Sequence, residues 1–283
     1  MHLSNEVVRS VVEAALHEDI GTGDLTTLAV IPAAAMARAA FVFREPGVLA
    51  GAPLAAAVFA RVEPALRYEA LLPEGALVGR GAVVATVSGP ARGLLSGERV
   101  ALNLLQRLSG IATLTARYVA EIQGTRARIL DTRKTTPGLR ALEKYAVRVG
   151  GGVNHRFGLY DGVMLKDNHL AILAAQGIGL GAAVRQARAN VGPMVRVEVE
   201  VENIDQAREA LEAGADFLLL DNMSPAELRA VVDLAAGRAT LEASGGITLE
   251  TLRVVAESGV DYISVGALTH SARALDIGLD HTL

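Results

Sequence analysis

The sequence predicts an α/β chain in two parts: a domain of short strands and helices, then a barrel of βα units. Three observations carry this. After Gly124 the chain turns to short apolar runs, each closed by polar or glycine residues: ARILDTRK, GVMLKDNH, VRVEVEVEN, DFLLLDNM, TLEASGG and DYISVGALTH. Helical segments such as IDQAREALEAG, PAELRAVVDLA and LETLRVVAESG lie between the later runs, and strand–helix alternation builds a parallel sheet. The last four strand ends, Glu200, Asp221, Ala243 and Val265, are 21, 22 and 22 residues apart, a regularity that favours a barrel over an irregular open sheet. Six strands are clear, fewer than the eight of a complete barrel.

Before Gly124 the pattern is different. Asn5 to His17 carry apolar residues at helical spacing and predict a helix. EDIGTGDLTT reads as a loop, with Gly21 and Gly23 shaping a turn rather than binding a ligand. ARAAFVFREPGVLAG, LRYEALLPEG and AVVATVSGP read as strands separated by Gly and Pro turns. GLLSGERVALNLLQRLSGIATLTARYV reads as one long helix, or as two with a break near Gly110.

Composition narrows the function. The 283 residues are 51% hydrophobic and 20% charged, ordinary for a globular chain with a substantial core. A net charge of -4, without a basic tail or stripe, speaks against nucleic acid as a partner. The absence of cysteine excludes disulfides, thiolate catalysis, Cys-ligated zinc and iron–sulfur clusters, and fits a reducing compartment. The N-terminal segment lacks the basic start and apolar core of a signal peptide. The longest apolar stretch, Val48 to Ala60, contains Pro53 and is too short to span a bilayer. The expectation is a cytoplasmic enzyme without a membrane partner. His2, His17 and His281 read as surface residues.

A barrel places its active site at the C-terminal ends of its strands. Those ends carry Asp131, Arg133 and Lys134; Lys166, Asp167 and Asn168; Glu200 and Glu202; Asp221 and Asn222; Ser244, Gly245 and Gly246; and Gly266. The first four ends are ionisable. The last two are small, where such barrels bind phosphate through backbone N–H groups. All three lysines, Lys134, Lys144 and Lys166, fall between residues 131 and 169. With Arg133, Arg140, Arg148 and Arg156, against Asp131, Glu143, Asp161 and Asp167, that window has a charge of 7 minus 4, or +3. A solvated basic face is the ordinary account of such a cluster. Two of the lysines stand at apolar strand ends, however, and Gly150-Gly151-Gly152 precedes Asn154-His155-Arg156. A pocket holding several cations calls for a ligand with several anionic groups. Glu198, Glu200 and Glu202 alternate and share one strand face. Three carboxylates rarely all face a core, so a barrel interior opening on a metal or a hydroxyl-rich ligand accounts for them better. Arg99 and His270 each read equally as structural or site residues.

Several motifs, in this order, resemble the signature of quinolinate phosphoribosyltransferases: DTRKTTPGLRALEKYAV, GGGVNHRFGLYDGVMLKDNH, EVEVEN, LLLDNM, EASGGI and VDYISVGALTH. EDIGTGDLTT and SGERVALNLLQRLSGIAT are similar to the same family, so the resemblance covers nearly the whole chain. The one small difference is Ala243, where Ser is also familiar. The resemblance implies an N-terminal α/β sandwich domain over residues 1–110, joined by 271–283, and an incomplete, seven-stranded α/β barrel over 111–270. It implies a homodimer with a shared active site, in which Arg99 reaches the partner's site; a hexamer is left open. The implied reaction joins quinolinate to phosphoribosyl pyrophosphate with Mg²⁺, giving nicotinate mononucleotide, pyrophosphate and carbon dioxide. By this resemblance Arg133, His155, Arg156, Lys166 and the partner's Arg99 bind the two carboxylates. Lys134 lies between them and the phosphates, as a catalytic and phosphate-binding cation. Glu200 and Asp221 face the developing oxocarbenium carbon and the ribose hydroxyls or Mg²⁺, and Ser244, Gly245, Gly246, Gly266 and Ala267 hold the 5-phosphate. Two related enzymes fit less well. The molybdenum-transport-associated relative departs from the NHR and KDNH motifs. Nicotinate phosphoribosyltransferase has a monocarboxylate substrate that needs fewer cations. A non-catalytic binding protein has no use for Lys134, Glu200 and Asp221 together.

Overall fold

The computed structural model describes residues 3–282. In chain order, helices α1 (Asn5–Ile20) and α2 (Leu25–Val30) precede strands β1 (Met36–Phe43) and β2 (Gly47–Val48). Helix α3 (Ala52–Val62), strands β3 (Arg67–Ala70), β4 (Leu77–Val78) and β5 (Val83–Pro90), and helix α4 (Ala91–Glu121) follow. Then come β6 (Arg128–Leu130), α5 (Arg140–Val149), β7 (Val163–Leu165), α6 (Asp167–Ala174), α7 (Leu180–Asn190) and β8 (Val197–Val201). The chain continues through α8 (Ile204–Glu212), β9 (Phe217–Asp221), α9 (Pro225–Ala235), β10 (Thr240–Ser244), α10 (Leu249–Ala256), β11 (Tyr262–Ser264), α11 (Ala267–His270) and β12 (Ile277–Thr282). Two compact units result. One gathers the chain up to Ala116, Lys134–Gly151 and the chain from Ala267 on; the other holds Arg117–Arg133 and Gly152–Gly266.

The first unit is built on an antiparallel sheet of order β12-β1-β5-β3, with β2 and β4 as a separate pair. Phe41 of β1, Phe59 of α3 and Tyr68 of β3 form an aromatic cluster with ring centroids 6.0 to 6.5 Å apart, a spacing at which aromatic pairs attract beyond their buried area. One expectation is corrected here. The segment read as a loop from Glu18 to Thr27 is mostly helical: α1 runs to Ile20, and α2 starts at Leu25. Asp24 supplies what the glycines and threonines lack. Its carboxylate accepts the Thr27 amide at 2.9 Å and the Ser96 hydroxyl at 2.9 Å, which caps α2. Of the two readings of the long segment that follows β5, the single helix holds: α4 is unbroken at Gly110. A Cβ there would sit 2.0 Å from the Arg273 carbonyl oxygen, so the glycine serves a close approach and not a break. Among the described residues no helix is long and apolar enough to cross a membrane.

The second unit is a parallel sheet of order β6-β11-β10-β9-β8-β7. All six apolar runs form its strands. Val153 adds a parallel bridge to Leu130 beside β6, a seventh position. Val197, Val199, Val201, Leu218, Leu220 and Ile263 are fully buried, as parallel strands covered on both faces must be. Crossover helices α8, α9 and α10 have 9, 11 and 8 residues, which produces the regular strand spacing. The rhythm fails after β6 because the next helix, α5, belongs to the first unit.

Candidate active site

The cations of the second unit stand on short segments just past strand ends. Arg133 follows β6, His155 and Arg156 follow the Val153 bridge, and Lys166 follows β7. Asp131, fully buried, holds the second of these segments to the first. Its carboxylate accepts the His155 amide at 2.9 Å and the Asn154 side-chain amide at 2.6 Å. Arg156 donates to the Gly162 carbonyl at 2.8 Å and rests on the Met164 sulfur at 3.6 Å. Burial, and then the charge of Arg133, hold its pKa below the ordinary guanidinium value. Two guanidinium groups that repel each other in a partly buried setting are the electrostatic counterpart of an anion. Lys166 Nζ lies 2.7 Å from Glu200 Oε2, with the lysine half exposed and the glutamate mostly covered.

The two glutamates of β8 and Glu202 just past its end grade from inside to outside. Glu198 is buried, Glu200 meets Lys166, and Glu202 is exposed. Glu198 and Glu242 of β10 flank His155, with carboxylate oxygens 3.1 and 3.3 Å from Nε2. Burial disfavours the charged ring, but the neighbouring carboxylates of Glu198 and Glu242 outweigh it and raise the His155 pKa to about 10. Against this, Nδ1 accepts the Arg156 amide at 2.7 Å, which favours the neutral ring. A full charge at about 4 Å contributes about 4 kcal/mol near a protein surface, whereas one amide bond is worth about 1 kcal/mol. The two carboxylates therefore favour the charged ring, but taking up that charge breaks the Arg156 amide bond, since an imidazolium Nδ1 carries its own hydrogen. The single Nε2 hydrogen serves Glu198, and Glu242 Oε2 has no hydrogen bond of its own. The ligand atoms of His155, Glu198 and Glu242 lie within 4.8 Å of one another. Nε2 carries a proton in the charged ring and in the neutral ring alike, so the trio is an ion cluster and not a metal ligand set. Burial also raises the Glu198 pKa.

At the later strand ends, Asp221 accepts the Asn222 side-chain amide at 2.7 Å, and the Asn222 backbone donates to the Ser244 carbonyl at 2.9 Å. Asn222 has φ +53, a conformation asparagine tolerates better than most residues. A Cβ on Gly245 would meet Asn222 Oδ1 at 2.2 Å and its backbone N at 2.9 Å. Glycine at 245 thus lets the β9 and β10 ends close together ahead of α10. Gly266 follows β11. Glu200 and Asp221 belong to adjacent strands, and among the described residues neither joins a cluster of three candidate ligands. Such a pair fits Mg²⁺ that keeps waters and substrate phosphates as its other ligands, not an all-protein cage.

The remaining expected residues belong to the first unit. Arg99 is exposed on α4, Lys134 is exposed, and Ala267 opens α11. His270 is exposed with Ser271 Oγ 2.6 Å from Nδ1; His17 and His281 are also exposed, and His2 lies outside the described residues. The basic window is divided between the two units. Lys134, Arg140, Lys144 and Arg148 go with the first unit, and Arg133, Arg156 and Lys166 with the second. Lys144 is fully buried, which a solvated face does not allow. Sequence reasoning passed over Glu242, the holding role of Asp131 and the packing of Asn222. Only Glu242 left a signal: a charge inside the apolar run TLEAS, on the strand face it shares with Ser244.

Paired guanidinium groups, a lysine, two carboxylates and a glycine turn at the strand ends of a parallel α/β sheet define an enzyme site for a polyanionic small molecule. Comparison with known proteins gives the family. The quinolinate phosphoribosyl transferase N-terminal domain matches residues 24–109, and the C-terminal domain of the same family matches 111–280. The chain belongs to the quinolinate phosphoribosyl transferase family. It is 48% identical over 266 residues to a probable nicotinate-nucleotide pyrophosphorylase (carboxylating) of Bacillus subtilis, covering 94% of this chain and 90% of that protein. It is 46% identical over 281 residues to the nicotinate-nucleotide pyrophosphorylase (carboxylating) of Mycobacterium leprae, covering 97% of each. The crystal structure of NadC from Streptococcus pyogenes matches with a TM-score of 0.95 and 42% identity, over 100% of this chain and 99% of that one.

Proposed function

We propose that this chain transfers the phosphoribosyl group of phosphoribosyl pyrophosphate to quinolinate with decarboxylation, forming nicotinate mononucleotide, pyrophosphate and carbon dioxide for NAD biosynthesis. The observation that carries it is the pair Arg133 and Arg156, mutually repelling, with Arg156 pinned by the Gly162 carbonyl. Two substrate carboxylates call for two guanidinium groups, and Arg133 stands close enough for its charge to act on Arg156. Lys166 adds a third cation, and His155 offers no free N–H, because Nε2 is engaged by Glu198 and Nδ1 accepts the Arg156 amide. Arg99 of a second subunit completes the set.

Lys134, one residue past Arg133, serves the pyrophosphate. Glu200 and Asp221 face the ribose, where departure of pyrophosphate leaves positive charge. They also hold Mg²⁺ in part; the ion neutralises pyrophosphate charge when bound. Ser244, Gly245, Gly246, Gly266 and Ala267 hold the 5-phosphate at the start of α10 and α11. Ribosyl transfer precedes decarboxylation, since the ring carbanion is tolerable only beside a quaternary, positive nitrogen. The protein then supplies placement and a fixed field rather than a strong base. The lack of cysteine fits a cytoplasmic setting.

The relatives named above favour this activity over those of nicotinate phosphoribosyltransferase and the molybdenum-associated relative. The test mixes purified protein, quinolinate, phosphoribosyl pyrophosphate and Mg²⁺. Carbon dioxide and mononucleotide are expected in equal amounts. No product, with turnover of nicotinate instead, overturns the proposal.

A further inference from the structure

Four segments of the first unit meet in a ring of hydrogen bonds that the chain from Lys134 to Thr136 closes. Arg107 of α4 donates from Nε and Nη2 to Glu143 Oε1 of α5, at 3.2 and 2.7 Å. Glu143 is fully buried, and its carboxylate also accepts the Thr136 amide at 3.0 Å and the Thr136 hydroxyl at 2.8 Å. Arg107 further donates to the carbonyls of Ala272, at 2.6 Å, and Thr269. Thr269, fully buried in α11, donates its hydroxyl to the Lys134 carbonyl at 2.8 Å. The path runs from Lys134 through Thr136, Glu143, Arg107 and Thr269 and back to Lys134.

A buried ion pair adds little net stability over well-packed apolar residues. What Arg107 and Glu143 add is geometry. Residues 131 to 137 form neither helix nor strand, so no ladder fixes the backbone at Lys134. The ring does this from both sides: Thr269 takes the Lys134 carbonyl, and Glu143 takes the amide two residues on. The guanidinium fork, with donors committed in three directions, makes the joint rigid.

We infer that Arg107, Glu143 and Thr269 are positioning residues that set the Lys134 ammonium for phosphoribosyl transfer and tie it to α11, which Ala267 opens. The inference rests on the proposed role of Lys134. None of the three touches substrate; each acts through the Lys134 backbone. A misplacement of about 1 Å at a catalytic group costs on the order of 100-fold in rate.

Thr269→Val keeps the side-chain shape and removes the hydroxyl, and Thr269→Ser restores it. Thr269→Val is expected to lower kcat about 10- to 100-fold while leaving KM for quinolinate within about twofold, with Thr269→Ser near the parent. In a Lys134→Ala background the same change should leave the residual rate unaltered, because the group it positions is gone. Arg107→Lys, which keeps the charge and loses the fork, is a second variant with the same expected non-additivity, should Thr269→Val fail to fold. A parent-like kcat for both variants overturns the inference. So does an equal further loss on top of Lys134→Ala, which marks a merely structural role. A parent-like kcat for Lys134→Ala alone removes the role beneath it and the positioning claim together, and is distinguishable because that single variant is read by itself.

Discussion

At His155 one Nε2 hydrogen faces two carboxylates, and the balance of charge can be read by titration. The folded pKa of about 10 lies above the free value of 6.5. The contribution to stability is therefore whole below pH 6.5 and is lost as pH rises through about 10. Urea unfolding across that window should show the decline, and Glu242→Gln should flatten it. An unchanged slope in Glu242→Gln would mean that Glu198 alone sets the shift. Asp131 offers a second test. Asp131→Ala deletes the acceptor of the His155 amide and the Asn154 side chain, so it should cost about 2 to 3 kcal/mol of stability and raise KM for quinolinate. An unchanged KM would show that the NHR segment keeps its place unaided. Residues beside strand ends, such as Lys166 and Asp221, were legible because a strand end is a local event. The burial of Lys144 was not, since it depends on α5 packing in the first unit although the chain on either side of Lys134–Gly151 lies in the second.

The six strands of the second unit were legible because continuous apolar runs with polar ends are the mark of parallel strands covered on both faces. The α2 helix was hidden, since its six residues carry no period and only the Asp24 cap reveals it. Gly110 left two readings open for a related reason: a glycine inside a helical pattern signals a break only when nothing else requires it. The sign of Gly110→Ala follows from magnitudes. Helix propensity favours alanine by about 1 kcal/mol. A Cβ 2.0 Å from the Arg273 carbonyl must push backbone aside, and overpacking of that kind costs about 1 to 3 kcal/mol or more. A net loss is expected in thermal or urea unfolding. A gain would show that the segment at Arg273 yields freely.

At the scale of the whole molecule, the proposed dimer rests on the resemblance alone, because a partner surface looks like any exposed apolar patch in a sequence. The structure supplies such a patch: Leu25, Leu28 and Val30 of α2 are 82%, 55% and 67% exposed, and Met36 is 72% exposed. Exposed apolar residues grouped in this way mark a contact surface. Leu25→Glu with Leu28→Glu should shift the mass in light scattering toward the monomer and abolish activity. A second test mixes Arg99→Ala with Lys166→Ala, each inactive alone. Heterodimers should regain part of the activity through one intact shared site. No regain under exchange conditions argues for a site made by one chain.

The pairing of β12 with β1 sets a timetable for biosynthesis. Those strands begin 241 positions apart, at Met36 and Ile277. At about 5 to 20 residues per second, a ribosome needs roughly 12 to 48 s to bridge that distance. Throughout that interval the nascent first sheet carries a naked edge from Arg38 to Phe43, open to the strands of neighbouring nascent chains. The barrel strands emerge during the same wait, so the half of the protein made first is the half finished last.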